Sequence, residues 1–421
     1  MATRKVNLAV SLPVPGLQGP CSLQQSAARC TRCNACVQSC PAYLLQPQEM
    51  FSPRGRMQLM RLLTEGKLTL FTDDPMLRRI TESCLLCGRC SAACAAQLPV
   101  AYHMLALRRA IGLQPLPQGL RVLMRLQTLF PNCFDKTVRL ALTLRRLGVT
   151  ALLNPFLPTW LRHAHTVLPK KTGSLRRLLT KQKAILRPEH PRALYLPSLY
   201  AQYADPQAGL LAWQALARKN PAVLFGYATG LFEYTYGSRT LCLKTAKKLL
   251  RVWEQAGRLP LITDSIEAYS FLKNYPLLFN TIPGWKQRAE QFAAHVQFIT
   301  DGPFPVKKPQ TTGRAALDSS SLLLPALAQT ERAQKILLAT YGKNLLECAY
   351  SRFPLPAAGS MFVCNKQTEQ WLQRQVQDIK RQQITKIYCL SPWAALELNA
   401  VLRKQYPQAQ AQFIVYLRET I

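Results

Sequence analysis

A chain of 421 residues has room for two or three domains, and 48% hydrophobic residues suit a folded globular protein. Its 54 Lys and Arg against 21 Asp and Glu give a formal charge of +33, which asks for an acidic partner: a protein, an anionic membrane or a nucleic acid. No apolar run approaches the roughly 20 residues of a membrane span. The basic start MATRKVNLAVSLPVPG has no apolar core of signal-peptide length, so a soluble or peripheral protein is expected.

Residues 1 to about 29 read as an extended lead-in, with Pro13, Pro15 and Pro20 breaking any helix. Two cysteine runs follow: Cys30-x2-Cys33-x2-Cys36-x3-Cys40-Pro41, then Cys84-x2-Cys87-x2-Cys90-x3-Cys94. Each spacing wraps three thiolates around a 4Fe–4S cubane and sends the fourth to the neighbouring cluster. Two 4Fe–4S clusters are therefore expected. One is held by Cys30, Cys33, Cys36 and Cys94, the other by Cys84, Cys87, Cys90 and Cys40. Zinc usually takes two cysteine pairs with a longer gap, which these compact runs do not offer. The second run departs from the first in one respect: Cys94 is followed by Ala95, and the proline arrives only at Pro99.

Fourteen cysteines could suggest a disulfide scaffold, but eight belong to these runs. Cys21, Cys133, Cys242, Cys348, Cys364 and Cys389 are scattered without pairing logic and read as free thiols. Oxygen-sensitive clusters and unpaired thiols point to the reducing cytoplasm.

Between the runs lies Ser52-Pro53-Arg54-Gly55-Arg56-Met57, opening a helix through MQLMRLLTEG that stops at Gly66; a second helix is expected across 75–80, before Cys84. So long a helical insert suggests the helical kind of dicluster domain. From 101 to 190 the chain holds sixteen Lys and Arg but only Asp135 and Glu189 as acids. Short helices broken by proline are expected, with a basic face including Arg121, Arg125, Arg145 and Arg146. That face is either a solvated surface or a dock for an anionic membrane or an acidic subunit. His163 and His165 in this stretch read as surface or core residues rather than ligands.

From 191 on, short apolar strands alternate with amphipathic helices. Strands are expected at Ala193–Leu199, Ala222–Tyr227, Leu261–Asp264 and His295–Ile299, with helices at Gln207–Ala217, Leu241–Gln255 and Glu267–Asn274. After a linker at Gly302–Gly313 the pattern recurs. Strands are expected at Ser320–Leu324, Ile336–Leu338, Ile387–Leu390 and Gln412–Tyr416, and helices at Glu369–Gln382 and Ala394–Lys404. Tyr275-Pro276 and Tyr406-Pro407 close corresponding units, which reads as a duplicated α/β module. The fold class is thus α+β multidomain: a helical dicluster ferredoxin domain (1–112), a basic helical linker (113–190) and two α/β modules (191–301 and 314–421).

The motifs CTRCNACVQSCPAYLL, FSPRGRMQLM and ESCLLCGRCSAAC resemble the glycolate oxidase iron–sulfur subunit family. They are also similar to the D-type component of heterodisulfide reductase and to related lactate-utilisation and anaerobic glycerol-3-phosphate dehydrogenase subunits. The likeness is specific over 28–112 and weaker beyond. It implies two C-terminal cysteine-rich modules with a Cys-Cys-Gly core, and here the frame stands without its ligands. Ala228-Thr229-Gly230 replaces Cys-Cys-Gly, with Gly237 following. Ala268, Ser320, Pro354-Leu355 and Ala394 stand near the places of other cysteines, and Cys364 and Cys389 lie off register. Without thiolates these modules cannot hold a cluster or attack a disulfide, so they read as scaffold.

The resemblance implies an electron-transfer subunit of a flavin-dependent 2-hydroxyacid oxidoreductase. It would carry electrons from a flavoprotein subunit to a quinone or another carrier. No catalytic base, nucleophile or G-x-G-x-x-G fingerprint is visible in this chain, so substrate oxidation falls to the partner. Arg32, Arg89, Arg108 and Arg109 either raise the cluster potentials or are ordinary surface charge. The alternative class is a basic nucleic-acid-binding or scaffold protein with structural clusters. The charge of +33 favours it, and the lack of a binding motif beside crossed cluster ligation weighs against it.

Overall fold

Prolines open helices in this chain rather than break them. Pro41, Pro53, Pro75, Pro131, Pro206 and Pro392 each lie in a helix's first turn, where a missing N–H leaves no hydrogen bond unmade. Side chains cap several of the same helices: Ser52 accepts from the Gly55 amide, Asp74 from Leu77 and Asp205 from Ala208. The computed structural model describes residues 23–69, 74–84, 88–111, 118–152, 157–158, 161–162, 165, 167–169, 173–236, 239–280, 282–302, 313–318, 324–348 and 366–417.

The cysteine runs lie among six helices: α1 (Leu23–Arg29), α2 (Pro41–Leu45), α3 (Pro53–Thr64), α4 (Pro75–Glu82), α5 (Arg89–Ala92) and α6 (Val100–Ala110). Helix α3 ends as expected, with Gly66 at φ +69° and the Lys67 amide returning to the Leu62 carbonyl. Leu23, Met57, Met60, Leu77, Met104 and Leu107 form a small core between α1, α3, α4 and α6.

Helices α7 (Gln118–Leu129) and α8 (Pro131–Arg146) pack against each other. On one side Thr128 donates to Glu233, Tyr203 donates to Asp135 (2.8 Å), and Phe134 meets the Tyr203 ring edge-on. The other side is open: Val122, Phe130, Leu140 and Leu147 are 63, 59, 61 and 72% exposed. Arg145 does not belong to that open face. It donates to the carbonyls of Pro169, Leu168 and His165, and tethers the end of α8. Within 113–190, Val167, Leu175 and Leu179 share the core of the first sheet. Among the described residues no helix is long and apolar enough to cross a membrane.

Two four-stranded parallel sheets follow. The first contains β1 (Ala193–Leu196), β2 (Pro221–Val223), β3 (Leu261–Thr263) and β4 (Val296–Phe298), in the order β2-β1-β3-β4. The second contains β5 (Ala315–Asp318), β6 (Leu345–Leu346), β7 (Lys386–Cys389) and β8 (Gln410–Phe413), in the order β6-β5-β7-β8. Both sheets have the same order, and helices connect their strands, as parallel pairing requires. The whole is mixed helical with two small parallel sheets, α+β broadly as expected.

Two expected strands need correction. Ile336–Leu338 lies inside the helix Leu324–Tyr341, where Ala333, Ile336, Leu337 and Tyr341 are buried and Leu338 points outward. That is helical periodicity, hidden in sequence by three consecutive apolar residues. For Ser320–Leu324, residues 319–323 lie outside those described; the strand precedes them as β5, and Leu324 already begins a helix. The 302–313 linker also falls mostly outside the described residues. Tyr275-Pro276 starts a one-turn helix, and Tyr406 caps the helix Pro392–Gln405.

The modules share a hydrophobic core, in which Phe298 and Ile299 of the first cluster with Leu337, Tyr388 and Phe413 of the second, and polar bonds join them as well. Tyr416 donates to Asp205 (2.7 Å), Ser391 hydrogen-bonds Glu267, and Tyr200 packs edge-on against Trp393 and Phe413. The cysteine-run region rests on the second module. Leu44 and Leu45 join its core, Arg374 donates to the Leu44 carbonyl (3.2 Å), and the Arg89 guanidinium lies 5.9 Å from the Trp371 ring centroid.

Candidate metal centre

The two cysteine runs fold alike. The residue after each middle cysteine is left-handed: Asn34 at φ +68° and Gly88 at +73°. Asparagine and glycine are the residues that tolerate this conformation best. The next turns also correspond. The Val37 amide donates to Asn34 O (2.9 Å) and the Cys40 amide to Val37 O (3.1 Å); Ser91 donates to Gly88 O (2.9 Å) and Cys94 to Ser91 O (3.3 Å). Beyond that the runs diverge. Pro41 carries the first directly into α2, while Ala95 allows a turn through Gln97 at φ +47° before α6 begins.

Cys40, Cys84 and Cys90 line one small cavity together with Gly88 and Arg56. Cys94 lies instead with the first run. The Cys36 thiol is pushed up to about 11, first by burial and next by the negative charge Cys94 would carry, with smaller contributions from Cys30 and Cys33. Cys33 is exposed; Cys30, Cys36, Cys90 and Cys94 are half-buried; Cys40 and Cys84 are buried. Cys87 lies outside the described residues. Among the described residues no three His, Cys, Asp or Glu side chains converge closely enough to hold a single metal ion. A cubane sets a different requirement, because its four thiolates go to separate iron corners.

The residues around the cavity fit an anionic cluster. The Arg56 guanidinium is only 2% exposed. Its Nη2 donates to Ser83 Oγ (2.7 Å), its Nη1 points at Cys40 Sγ (3.7 Å), and its Nε meets no acceptor among the described residues. It takes part in none of the ion pairs among the described residues. A buried cation without a carboxylate is costly unless another anion stands beside it, and thiolates around iron supply one.

The expected arginines divide. Arg108 is buried and donates to the carbonyls of Thr81 and Cys84. Arg32 is exposed, Arg89 lies over Trp371, and the Arg109 side chain is outside the described residues. Arg56 was not among them, although the Ser-Pro-Arg-Gly-Arg element announced it. His103 was also missed. Its Nε2 lies 2.8 Å from Ser26 Oγ, and burial lowers its pKa to about 4, so it is neutral at pH 7.

At the modules' expected ligand positions, Ala268 and Ala394 occupy the same place, each amide donating to a capping serine, Ser265 or Ser391. Thr229 in the Cys-Cys-Gly position has its carbonyl bonded by Tyr275 Oη (2.5 Å). Burial and the neighbouring Asp318 push the Cys389 thiol well up. Gly237, Ser320, Pro354-Leu355 and Cys364 lie outside the described residues, as does His163.

Residues 26–98, which hold both C-x2-C-x2-C-x3-C runs, match the 4Fe-4S dicluster domain family. Among curated proteins the chain is 26% identical over 275 residues to the glycolate oxidase iron-sulfur subunit of Escherichia coli (strain K12), covering 62% of this chain and 61% of that one. It is 25% identical over 299 residues to the probable glycolate oxidase iron-sulfur subunit of Bacillus subtilis (strain 168), covering 65% and 63%. The motifs and these two matches point to the same family of iron–sulfur subunits, and the chain spans less than two thirds of each relative's length. No solved structure matches it.

Proposed function

We propose that this chain is the iron–sulfur electron-transfer subunit of a flavin-dependent 2-hydroxyacid oxidoreductase of the glycolate or lactate type. It takes electrons from a flavoprotein subunit and passes them towards a quinone or another carrier. Two 4Fe–4S clusters are its cofactors, one on Cys30, Cys33, Cys36 and Cys94, the other on Cys84, Cys87, Cys90 and Cys40. The observation that supports this reading is that Cys40 shares a cavity with Cys84 and Cys90, while Cys94 lies near enough to Cys36 to perturb it. When bound, each cubane accepts and releases one electron at a time.

The chain's own residues hold the thiolates, bury Cys40 and Cys84 and leave Cys33 open at the surface. Oxidation of the hydroxyacid belongs to the flavoprotein, and the basic surface suits an acidic partner or an anionic membrane face carrying a quinone. Anaerobically purified protein should hold about eight iron atoms per chain. Its clusters should be reduced by glycolate or lactate only when a flavin-dependent dehydrogenase is added. Iron near four, or stoichiometric zinc, would remove the crossed dicluster. The charge of +33 favours one rival, a nucleic-acid-binding protein with structural clusters. Salt-sensitive binding of DNA or RNA, together with clusters that no flavoprotein reduces, would establish that instead.

A further inference from the structure

The Ser-Pro-Arg-Gly-Arg element places two arginines two residues apart at the start of α3, and their surroundings differ. Arg54 is neutralised: Nε and Nη2 grip the two carboxylate oxygens of Glu49 at 2.7 Å each, and Nη1 reaches Asn34 in the exposed first run. Gly55 between them has no room for a side chain, since a Cβ there would lie 2.0 Å from the Glu49 carbonyl oxygen. Arg56 turns inward onto Cys40 and Ser83, in no ion pair among the described residues. Ser83 immediately precedes Cys84 and itself donates to the Ile80 carbonyl (2.7 Å). One guanidinium thus ties the last cysteine of the first run to the entry of the second.

We propose that Arg56 is a positioning residue that clamps Cys40 against the second run and makes the cluster on Cys84, Cys87, Cys90 and Cys40 the easier of the two to reduce. The inference rests on the crossed dicluster assignment proposed above. Reduction of a four-thiolate cubane by a one-electron donor adds one electron, and no bond is made or broken, so the change to be stabilised is one added negative charge. Burial of Cys40 and Cys84 by itself disfavours that charge. The same low dielectric strengthens the field of a cation held in it, and Arg56 stands at the ligand sulfur with no acid paired to it among the described residues. Arg108, donating to the Cys84 carbonyl, is a second buried cation on that side. Towards the exposed first run the corresponding arginine, Arg54, is cancelled by Glu49. Electrons entering at the open Cys33 side would then come to rest at the Arg56 side.

The test is an anaerobic redox titration of the full, cluster-loaded chain, followed by electron paramagnetic resonance, with iron counted per chain. Arg56→Gln, Arg56→Lys and Arg54→Gln are compared with the unaltered protein, and Cys40→Ser marks which signal belongs to which cluster. The expected result is two midpoints in the unaltered protein, the higher belonging to the Cys40 cluster. That midpoint alone moves down in Arg56→Gln and moves down less in Arg56→Lys. Arg54→Gln leaves it in place. Should Arg56→Gln lose iron, the Arg56→Lys midpoint decides. An iron-replete Arg56→Lys with both midpoints unchanged, or a shift confined to the Cys30 cluster, overturns the inference. Iron near four in the unaltered protein would instead sink the dicluster assignment, so the two failures are distinguishable.

Discussion

The α7–α8 hairpin is predicted to bring this protein to anionic membranes. Its outward face carries Val122, Leu129, Phe130, Leu140, Leu144 and Leu147 exposed, interleaved with the exposed cations Arg125, Lys136 and Arg146. Arg139 contributes less, because it is paired with Asp135 at 2.7 Å. Each free cation at an anionic surface is worth about 1 kcal/mol, so the three together supply about 3 kcal/mol, roughly two decades in partitioning. Changing all three to Glu removes that attraction and adds repulsion, so release should be essentially complete. Arg145 is left intact because the fold uses it. The apolar residues add a part that salt does not screen: inserting Phe130 or Leu147 contributes about 1–2 kcal/mol each. Binding should therefore fall steeply as salt rises, because the Debye length shrinks from about 10 Å at 0.1 M to about 3 Å at 1 M, yet it should not vanish. Co-sedimentation with vesicles of phosphatidylglycerol and phosphatidylcholine, against phosphatidylcholine alone, measures both parts. If the unaltered protein ignores anionic vesicles while the triple reversal abolishes capture of the flavoprotein subunit, the face is a protein interface and the membrane reasoning fails.

Three further outcomes are expected. Cys40→Ser should deplete the cluster on Cys84, Cys87 and Cys90, lowering iron from about eight to about four per chain; spectroscopic loss of the Cys30 cluster alone would contradict the crossed pairing. Ser52→Ala removes the cap of α3 and should cost about 1 kcal/mol in a denaturation midpoint. His103 is buried neutral, with its pKa lowered from 6.5 to about 4, so the unfolded chain binds the extra proton between those values. Its contribution is intact above pH 6.5 and declines as pH falls towards 4, by about 1.4 kcal/mol per pH unit. His103→Gln should flatten that slope in unfolding curves taken across the window, and an unchanged slope would count against the burial argument.

Sequence reading succeeded where a short-range rule governs the outcome. The strands near 193, 221, 261, 296, 386 and 410 are apolar runs bounded by turn residues, and all begin within two residues of the expected start, though the second ends four residues early. The 4Fe-4S dicluster domain was legible because its cysteine spacing is local. Failures arose where tertiary contacts decide. Ile336-Leu337-Leu338 matches a strand locally, and only burial of Ala333 and Tyr341 on the same side makes it helical. Strand β6 is two residues long, too short to leave a pattern. The helix Trp285–His295 was missed because its charged residues conceal a stripe of Ala289, Phe292 and Ala293. At the site, sequence displays a surplus of arginines but not which one is buried. Only the fold separates Arg56, facing Cys40, from Arg54, held by Glu49.

The C-terminal modules show how a fold can persist after the ligands expected of it are missing. In an open parallel sheet the crevice beyond the strand ends, where the strand order reverses, is where ligands ordinarily sit. In the first module that place is closed by the chain's own polar groups. Asp264, directly after β3, accepts from the Tyr195 hydroxyl (3.0 Å) and the Ser198 amide (2.6 Å), and burial raises its pKa to about 6. Ser265 donates to Glu267 (2.8 Å), which Ser391 of the second module also bonds. In that second module Gln375 reaches Asp318 (3.4 Å) at the end of β5. These bonds satisfy groups that a bound ligand would otherwise have to satisfy, so the modules can remain folded without one. They also explain part of the external charge. Glu233, Asp264, Glu267, Asp318 and Glu397 are all buried, so at least five of the 21 acids are withdrawn from the surface, against two buried arginines, Arg56 and Arg108, among the described residues. The face met by a partner is therefore more basic than the formal charge implies. Raising ionic strength should accordingly weaken any partner complex more than that net charge alone predicts.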